Sequence, residues 1–306
     1  MDEIAIIGAG LAGVTAARVV AAAGWPVRIF DKSRGLGGRL ATRRGPGFSL
    51  DHGAPGVQAT DPAFAAALAG AGGVQDPGLG FVGQPGMSGL VKAMATGLTV
   101  ETGVEIMGLA DAGSRLTLID QAGRGHGPFG HVISAIPAPQ ARRLTRDVAA
   151  ADRMLARVVM APVWSLLMVF DDLATPPTTL PDPIESLIHN SAKPGRPAEP
   201  CTWVAHASEA WSRHNLERAR EDIAADLAHG LAPLPATHHL AAHRWRGGVS
   251  RAMGQARAPD LPRCLRARAP GCGGSMPRWH GRPRCRARPG GRVWRCCGSS
   301  FRSGPV

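Results

Sequence analysis

Six residues near the start of the chain, Gly8-Ala9-Gly10-Leu11-Ala12-Gly13, have the spacing G-x-G-x-x-G, and the chemistry such a run can perform is diphosphate binding. The first glycine permits a tight turn, the second lets backbone approach a pyrophosphate, and the third lets a helix pack closely on a strand. Free N–H groups and the positive dipole end of that helix then face the phosphates. Asp31 stands eighteen residues beyond Gly13. A carboxylate ending the next strand is placed to hold ribose hydroxyls. Lys32-Ser33-Arg34-Gly35-Leu36-Gly37-Gly38-Arg39 adds a second glycine pair flanked by arginines, suited to amide contact with phosphate and to the bidentate fork of Arg39. The plainer alternatives are a ligand-free βα turn and a solvated basic loop.

These residues need a strand, a turn and a helix to position them. Ile4–Ile7 is a short apolar run with the composition of a buried parallel strand. An Ala/Val-rich helix follows to about Ala23, stopped by Gly24 and Pro26, and Val27–Phe30 is a second strand ending at Asp31. The three make one right-handed βαβ unit. Residues 32–62 read as ordered loop, and Asp61-Pro62 as the cap and first turn of a helix through Leu68. Residues 70–86 read as connection and Met87–Ala95 as helix. Thr99–Glu105, Ile106–Ala110 and Arg115–Asp120 read as strands, with hairpin turns at Thr102-Gly103 and Asp111-Ala112-Gly113. His131–Ile136 is another buried strand, and 142–159 is helical in part. Trp164–Phe170 opens a second lobe, with a Pro-rich loop over 175–200, a strand at Trp203–His206 and helical spacing over Glu217–His229.

The expected class is α/β. A Rossmann-like nucleotide domain covers 1–160, with a substrate-lobe insertion around 55–95, and a smaller sheet-based substrate domain covers 161–246. An irregular tail, 247–306, completes the chain. At 306 residues the chain is long enough for two lobes, and 44% hydrophobic with 19% charged residues excludes a disordered or fibrous class. The net charge of +12 would suggest a nucleic-acid partner, but residues 247–306 hold 13 Arg, no Lys and one acid, leaving 22 basic and 22 acidic side chains in the rest. The body is neutral, so no nucleic-acid partner is expected for it. Cys201 is its one cysteine, which implies no disulfide framework and suits a reducing cytoplasm. The acidic start Met1-Asp2-Glu3 lacks the basic region of a secretory signal, and Arg18 interrupts the only early apolar run. A cytoplasmic protein with no membrane partner is expected. The five tail cysteines form no C-x-x-C pair, so metal binding is not expected.

Several further blocks, with the glycine run and residues 31–39, carry a family resemblance. They are Asp51-His52-Gly53-Ala54, Pro85-Gly86-Met87, Ala135-Ile136-Pro137-Ala138-Pro139-Gln140, Asn190-Ser191-Ala192-Lys193-Pro194-Gly195-Arg196, Trp203-Val204-Ala205-His206-Ala207-Ser208 and His243-Arg244-Trp245-Arg246. Residues 3–246 resemble the flavin-dependent amine-oxidase superfamily and, within it, the bacterial renalase-like proteins. The resemblance implies FAD as cofactor, with Asp31 on the adenosine ribose, Arg39 near the pyrophosphate, Gly53-Ala54 close to the flavin and the strand around Val104 beside the adenine. It implies oxidation of off-pathway dihydronicotinamide isomers of NAD(P)H to NAD(P)⁺, with O₂ reduced to hydrogen peroxide. Rival readings are an amine or other carbon-donor oxidase of the same superfamily, an inactive remnant and an ordinary NAD(P) dehydrogenase. The Gly37-Gly38-Arg39 block argues against the last. An aromatic residue usually follows the Gly-Ala block in the family; here Pro55, Gly56 and Val57 stand instead, and the chain has no Tyr. His52, His206 and His243 invite an acid–base reading, but a flavin oxidase acting on a ready hydride donor needs little side-chain help. No catalytic residue is assigned.

The resemblance stops near Gly247. The family's final segment holds a Gly-Asp pair, and none occurs after residue 246. Residues 247–306 contain 13 Arg, 11 Gly, 7 Pro and 5 Cys, the signature of an out-of-frame translation of a GC-rich gene. The alternative is a genuine basic tail that is disordered or binds polyanions. An out-of-frame tail would leave FAD weakly retained and the chain poorly soluble.

Overall fold

The chain starts with β1 (Ile4–Ile7), α1 (Leu11–Ala22) and β2 (Val27–Asp31). All four β1 residues are buried, as a strand covered on both faces requires. In this computed structural model, residues 1–171, 177 and 179–252 are described. A 3-10 turn at Gly38–Leu40 leads into the hairpin β3 (Thr42–Gly45) and β4 (Phe48–Asp51). Then come α2 (Pro62–Gly70), β5 (Val74–Asp76), β6 (Gly80–Val82), α3 (Met87–Met94) and β7 (Thr99–Thr102). β8 (Ile106–Ala112), β9 (Arg115–Asp120) and β10 (Gly125–Phe129) form an antiparallel sheet, followed by β11 (His131–Ser134), α4 (Ala138–Leu144) and α5 (Ala149–Leu155). The second lobe holds β12 (Val158–Phe170), β13 (Ile184–His189), β14 (Cys201–Ala207), α6 (Glu209–His214), α7 (Arg220–Gly230) and β15 (Thr237–Ala252).

The nucleotide-domain sheet is parallel in the order β11-β1-β2-β7, with Ile6 opposite both Ile29 and Ile133. Among the described residues, β11 has no strand on its outer edge. α1 and α3 cover one face, burying Val14, Ala17, Leu90 and Val91 against Ile6 and Ile29. Phe30, Leu118 and Phe129 fill the other face.

The second lobe is the antiparallel sheet β13-β14-β12-β15. β12 alternates two apolar faces. Trp164, Leu166, Met168 and Phe170 pack with Ile223, Ala224 and Leu227 of α7, while Leu167 and Val169 meet Leu50 of the β3–β4 hairpin. This second face brings the lobes together.

The structure corrects several expectations. Residues 32–62 contain the β3–β4 hairpin, which Gly45, Pro46 and Gly47 disguised as loop, and β5–β6 lies within the expected connection over 70–86. β7 pairs in parallel with β2, so Thr102-Gly103 is no hairpin turn; Gly103 instead lets the chain leave one sheet for the next. β13 runs through the Pro-rich stretch, and α6 precedes α7. β15 continues through residue 252, so the first six tail residues form strand. Gly247 and Gly248 lie in a register shift between β15 and β12, where backbone pairing proceeds without apolar alternation. The other expectations for the tail, from residue 253 onward, lie outside the described residues.

Candidate functional site

The glycine run makes the turn from β1 into α1. Gly8 has φ +108° and lies against the Ala135 carbonyl, a conformation and a contact that only glycine accommodates. A Cβ at Gly13 would overlap the Gly8 carbonyl, so the helix packs on the strand at glycine distance. Leu11, Ala12 and Gly13 form the first turn of α1, which has no side-chain cap. Its amides therefore point outward as an anion site does.

The two glycine segments meet. Gly37 donates its N–H to the Ala9 carbonyl (3.1 Å), and Gly10 and Gly37 form an isolated parallel bridge. Gly38, at φ +55°, approaches the Gly10 Cα so closely that a Cβ would sit 3.2 Å from it. Asp31 turns its carboxylate onto the same loop. Oδ2 accepts from Ala9 N–H (2.6 Å) and Oδ1 from Ser33 N–H (2.7 Å), and an ionised carboxylate retains further acceptor capacity for sugar hydroxyls. Val104, nearly buried, donates its N–H to the Asp31 carbonyl (3.0 Å), which sets it beside the end of β2. Lys32 reaches Glu105 at 3.4 Å, and Arg34 is exposed. The Arg39 guanidinium donates to the Gly248 carbonyl of β15 (3.4 Å). Its own carbonyl accepts from Ala54 N–H (2.9 Å), and a Cβ at Gly53 would overlap that carbonyl. Gly53-Ala54 is thereby fastened beside the second glycine loop.

Next in the chain to Gly53-Ala54 lies a buried ionic hub. The Asp51 carboxylate accepts from Met87 N–H (2.8 Å), Thr42 Oγ1 (2.7 Å), Lys193 Nζ (3.2 Å) and Arg196 Nη2 (2.6 Å). Its backbone N–H donates to Asn190 Oδ1 (3.1 Å). All three charged side chains are at most 1% exposed. Burial pushes the Asp51 carboxyl up, but Lys193 and Arg196 outweigh it and hold it below the usual carboxylate range. Lys193 is also driven down, because burial, with repulsion from Arg196, outweighs the attraction of Asp51 and Asp76. The hub joins the separate blocks 51–54, 85–87 and 190–196. A lysine and an arginine three apart in a Gly/Pro loop were the only signal.

Above the hub sits an aromatic cluster. The His52 ring stacks on Trp245 (5.2 Å between centroids), and His243 meets both rings edge-on at 4.5 Å. Trp245 Nε1 donates to the His52 carbonyl (2.9 Å). His206, directly across β12 from His243, pairs through Nδ1 with Ser165 Oγ (2.9 Å). Ser165 is fully buried, so this Ser–His pair offers no accessible nucleophile. Burial is the main cause that lowers His52, His206 and His243 each to about 4, leaving all three neutral near pH 7. Val57, where an aromatic was expected, is instead buried and bridged to Phe81. Trp245 of the other lobe lies against Gly53, where a Cβ would sit 3.3 Å from its ring.

Residues 6–69 match the family model of an NAD(P)-binding Rossmann-like domain. Solved structures extend the likeness over both lobes. A protein provisionally assigned as a protoporphyrinogen oxidase, from Exiguobacterium sp. 255-15, is 13% identical with a TM-score of 0.61 over 83% of this chain and 88% of that one. Wild-type putrescine oxidase bound to putrescine is 14% identical with a TM-score of 0.58, over 81% of this chain and 89% of that one. An oxidoreductase from Methanosarcina mazei gives 15% and 0.56, over 82% and 90%. The chain has the fold of these proteins. No helix among the described residues is long and apolar enough to cross a membrane.

Proposed function

We propose that the chain is an FAD-dependent oxidoreductase of renalase-like type, acting on dihydronicotinamide isomers of NAD(P)H and on O₂. The observation that carries the reading is the convergence of Asp31, the Gly8–Gly13 turn and the Gly37-Gly38 loop on one surface. FAD fits these residues: a Cβ on Gly10 would meet the Gly37 and Gly38 backbone only at ordinary contact distance (3.9 Å), and α1 has no side-chain cap to occupy its first amides. The Gly10, Leu11 and Ala12 amides would hold that diphosphate, Asp31 the adenosine ribose and Val104 the adenine side. When bound, FAD supplies a hydride acceptor that O₂ reoxidises with release of hydrogen peroxide.

The chain's own contribution is placement. Gly53-Ala54, held by the Arg39 carbonyl and the Asp51 hub, forms one wall of the reacting space, and the His52–His243–Trp245 cluster forms another. Imidazoles lowered to about 4 are unprotonated but weak bases near pH 7, which suits a substrate that gives up hydride without first losing a proton. Anaerobic mixing of the flavin-loaded chain with 2- and 6-dihydronicotinamide isomers, and with primary amines, tests the reading. Bleaching of the flavin band by the isomers supports it; bleaching by amines alone refutes it and favours the amine oxidase suggested by the fold of putrescine oxidase. We infer also that the Arg/Pro/Gly/Cys-rich tail is out of frame. Resequencing that finds an uninterrupted frame would remove this inference.

A further inference from the structure

A polar row crosses the second-lobe sheet on the side that faces the β3–β4 hairpin. His206 of β14 and His243 of β15 both stand directly opposite Ser165 of β12, and residues opposite one another share a face. Leu167 and Val204, two residues along their strands from Ser165 and His206, lie on that same face and pack against Leu50. The chain leaving Leu50 then runs over the row. The His52 ring lies 4.5 Å from that of His243, and a Cβ on Gly53 would sit 3.3 Å from the Trp245 ring. Ser165 is fully buried, and among the described residues its hydroxyl bonds the His206 ring alone, at Nδ1 (2.9 Å). The other ring nitrogen, Nε2, is buried and has no partner at hydrogen-bond geometry among the described residues. The Gly53 carbonyl is close enough to favour a proton on the ring.

His206 is neutral near pH 7, so one of its ring nitrogens carries a hydrogen and the other accepts one. With the hydrogen on Nδ1 and donated to Ser165, the serine O–H has no acceptor and Nε2 has no donor, which leaves two buried groups unpaired. With Ser165 donating to Nδ1, only Nε2–H is left over, and it is a donor beside the Gly53 carbonyl. Every buried polar group left unpaired costs free energy, so the second arrangement wins. We propose that Ser165 is a positioning residue: it fixes His206 as the Nε2–H tautomer, and that donor holds the Gly53 carbonyl, setting the Gly53-Ala54 wall of the reacting space from the opposite lobe. This role rests on the FAD-dependent reading of the chain; the tautomer itself does not.

The test uses the full chain. Nitrogen NMR of the isotopically labelled protein, with the His206 signals identified by their loss in His206→Gln, reads the tautomer directly. A proton on Nε2 and none on Nδ1 is expected; a proton on Nδ1 overturns the proposal. FAD affinity is measured beside it for the unaltered chain, Ser165→Ala, His206→Gln and the double variant. Glutamine keeps an N–H donor near the place of Nε2 that needs no help from Ser165. Ser165→Ala should therefore weaken FAD binding about tenfold in the unaltered background and less than about twofold in the His206→Gln background. An equal loss in both backgrounds, or a loss in neither, would mean that the hydroxyl only fills space, and overturns the proposal. Absence of saturable FAD binding by the unaltered chain would instead remove the reading on which the role rests, whatever the tautomer.

Discussion

Asp51→Asn perturbs the point where the two lobes are tied. The carboxylate has no exposed surface and accepts four hydrogen bonds, two of them from Lys193 and Arg196, which are themselves at most 1% exposed. The amide keeps the shape but removes the negative charge, leaving two buried cations where one was balanced. Removing one partner of a buried ion pair costs about 3–5 kcal/mol, against a total stability of about 5–15 kcal/mol for a typical domain. Urea unfolding followed by Trp fluorescence should show a loss in that range. Lys193→Met in the Asp51→Asn background removes one stranded cation, so the double variant should be more stable than the two single losses sum to. A single-variant loss below about 1 kcal/mol, or strict additivity, would refute the hub as an electrostatic unit. The pH dependence carries the same sign. Asp51 is held below its unfolded value, so its contribution is present above that value and fades as pH falls through the folded one.

Three further outcomes are expected. His52, lowered to about 4 chiefly by burial and then by Arg43, favours the folded state above pH ~6.5 and loses that contribution, on the order of 3 kcal/mol, as pH falls toward 4; His52→Asn should flatten the acid limb of a stability–pH curve. Gly13→Ala should abolish FAD binding and destabilise the chain, since its Cβ would overlap the Gly8 carbonyl; an unchanged melting temperature would contradict the packing. Trp245→Ala removes both the stack on His52 and the bond to its carbonyl, and should slow flavin reduction more than it weakens FAD binding, as paired kinetic and binding measurements would show.

The βαβ unit was legible because Ile4–Ile7, the glycine spacing and Asp31 are contiguous and each is demanded by local geometry. The Asp51 hub was not, since Asp51 lies 145 residues from Arg196 and only tertiary packing joins them. The β3–β4 hairpin hid behind Gly45, Pro46 and Gly47, which also form its turn. β15 escaped notice for a different reason. It borders β12 on one side only, so residues such as Arg244, Arg246 and Ser250 can alternate in it without the apolar rhythm of a buried strand. The contact of the Arg39 side chain with Gly248 was not legible either, because it spans 209 residues of sequence.

Equilibrium titration of the purified full chain with FAD, followed by quenching of flavin fluorescence, tests the nucleotide site directly. Saturable binding that ADP-ribose displaces and FMN does not, weakened about tenfold or more by Asp31→Ala, is the predicted result. Binding that ignores Asp31→Ala, or no saturable binding, would contradict the dinucleotide site on which the oxidoreductase reading stands.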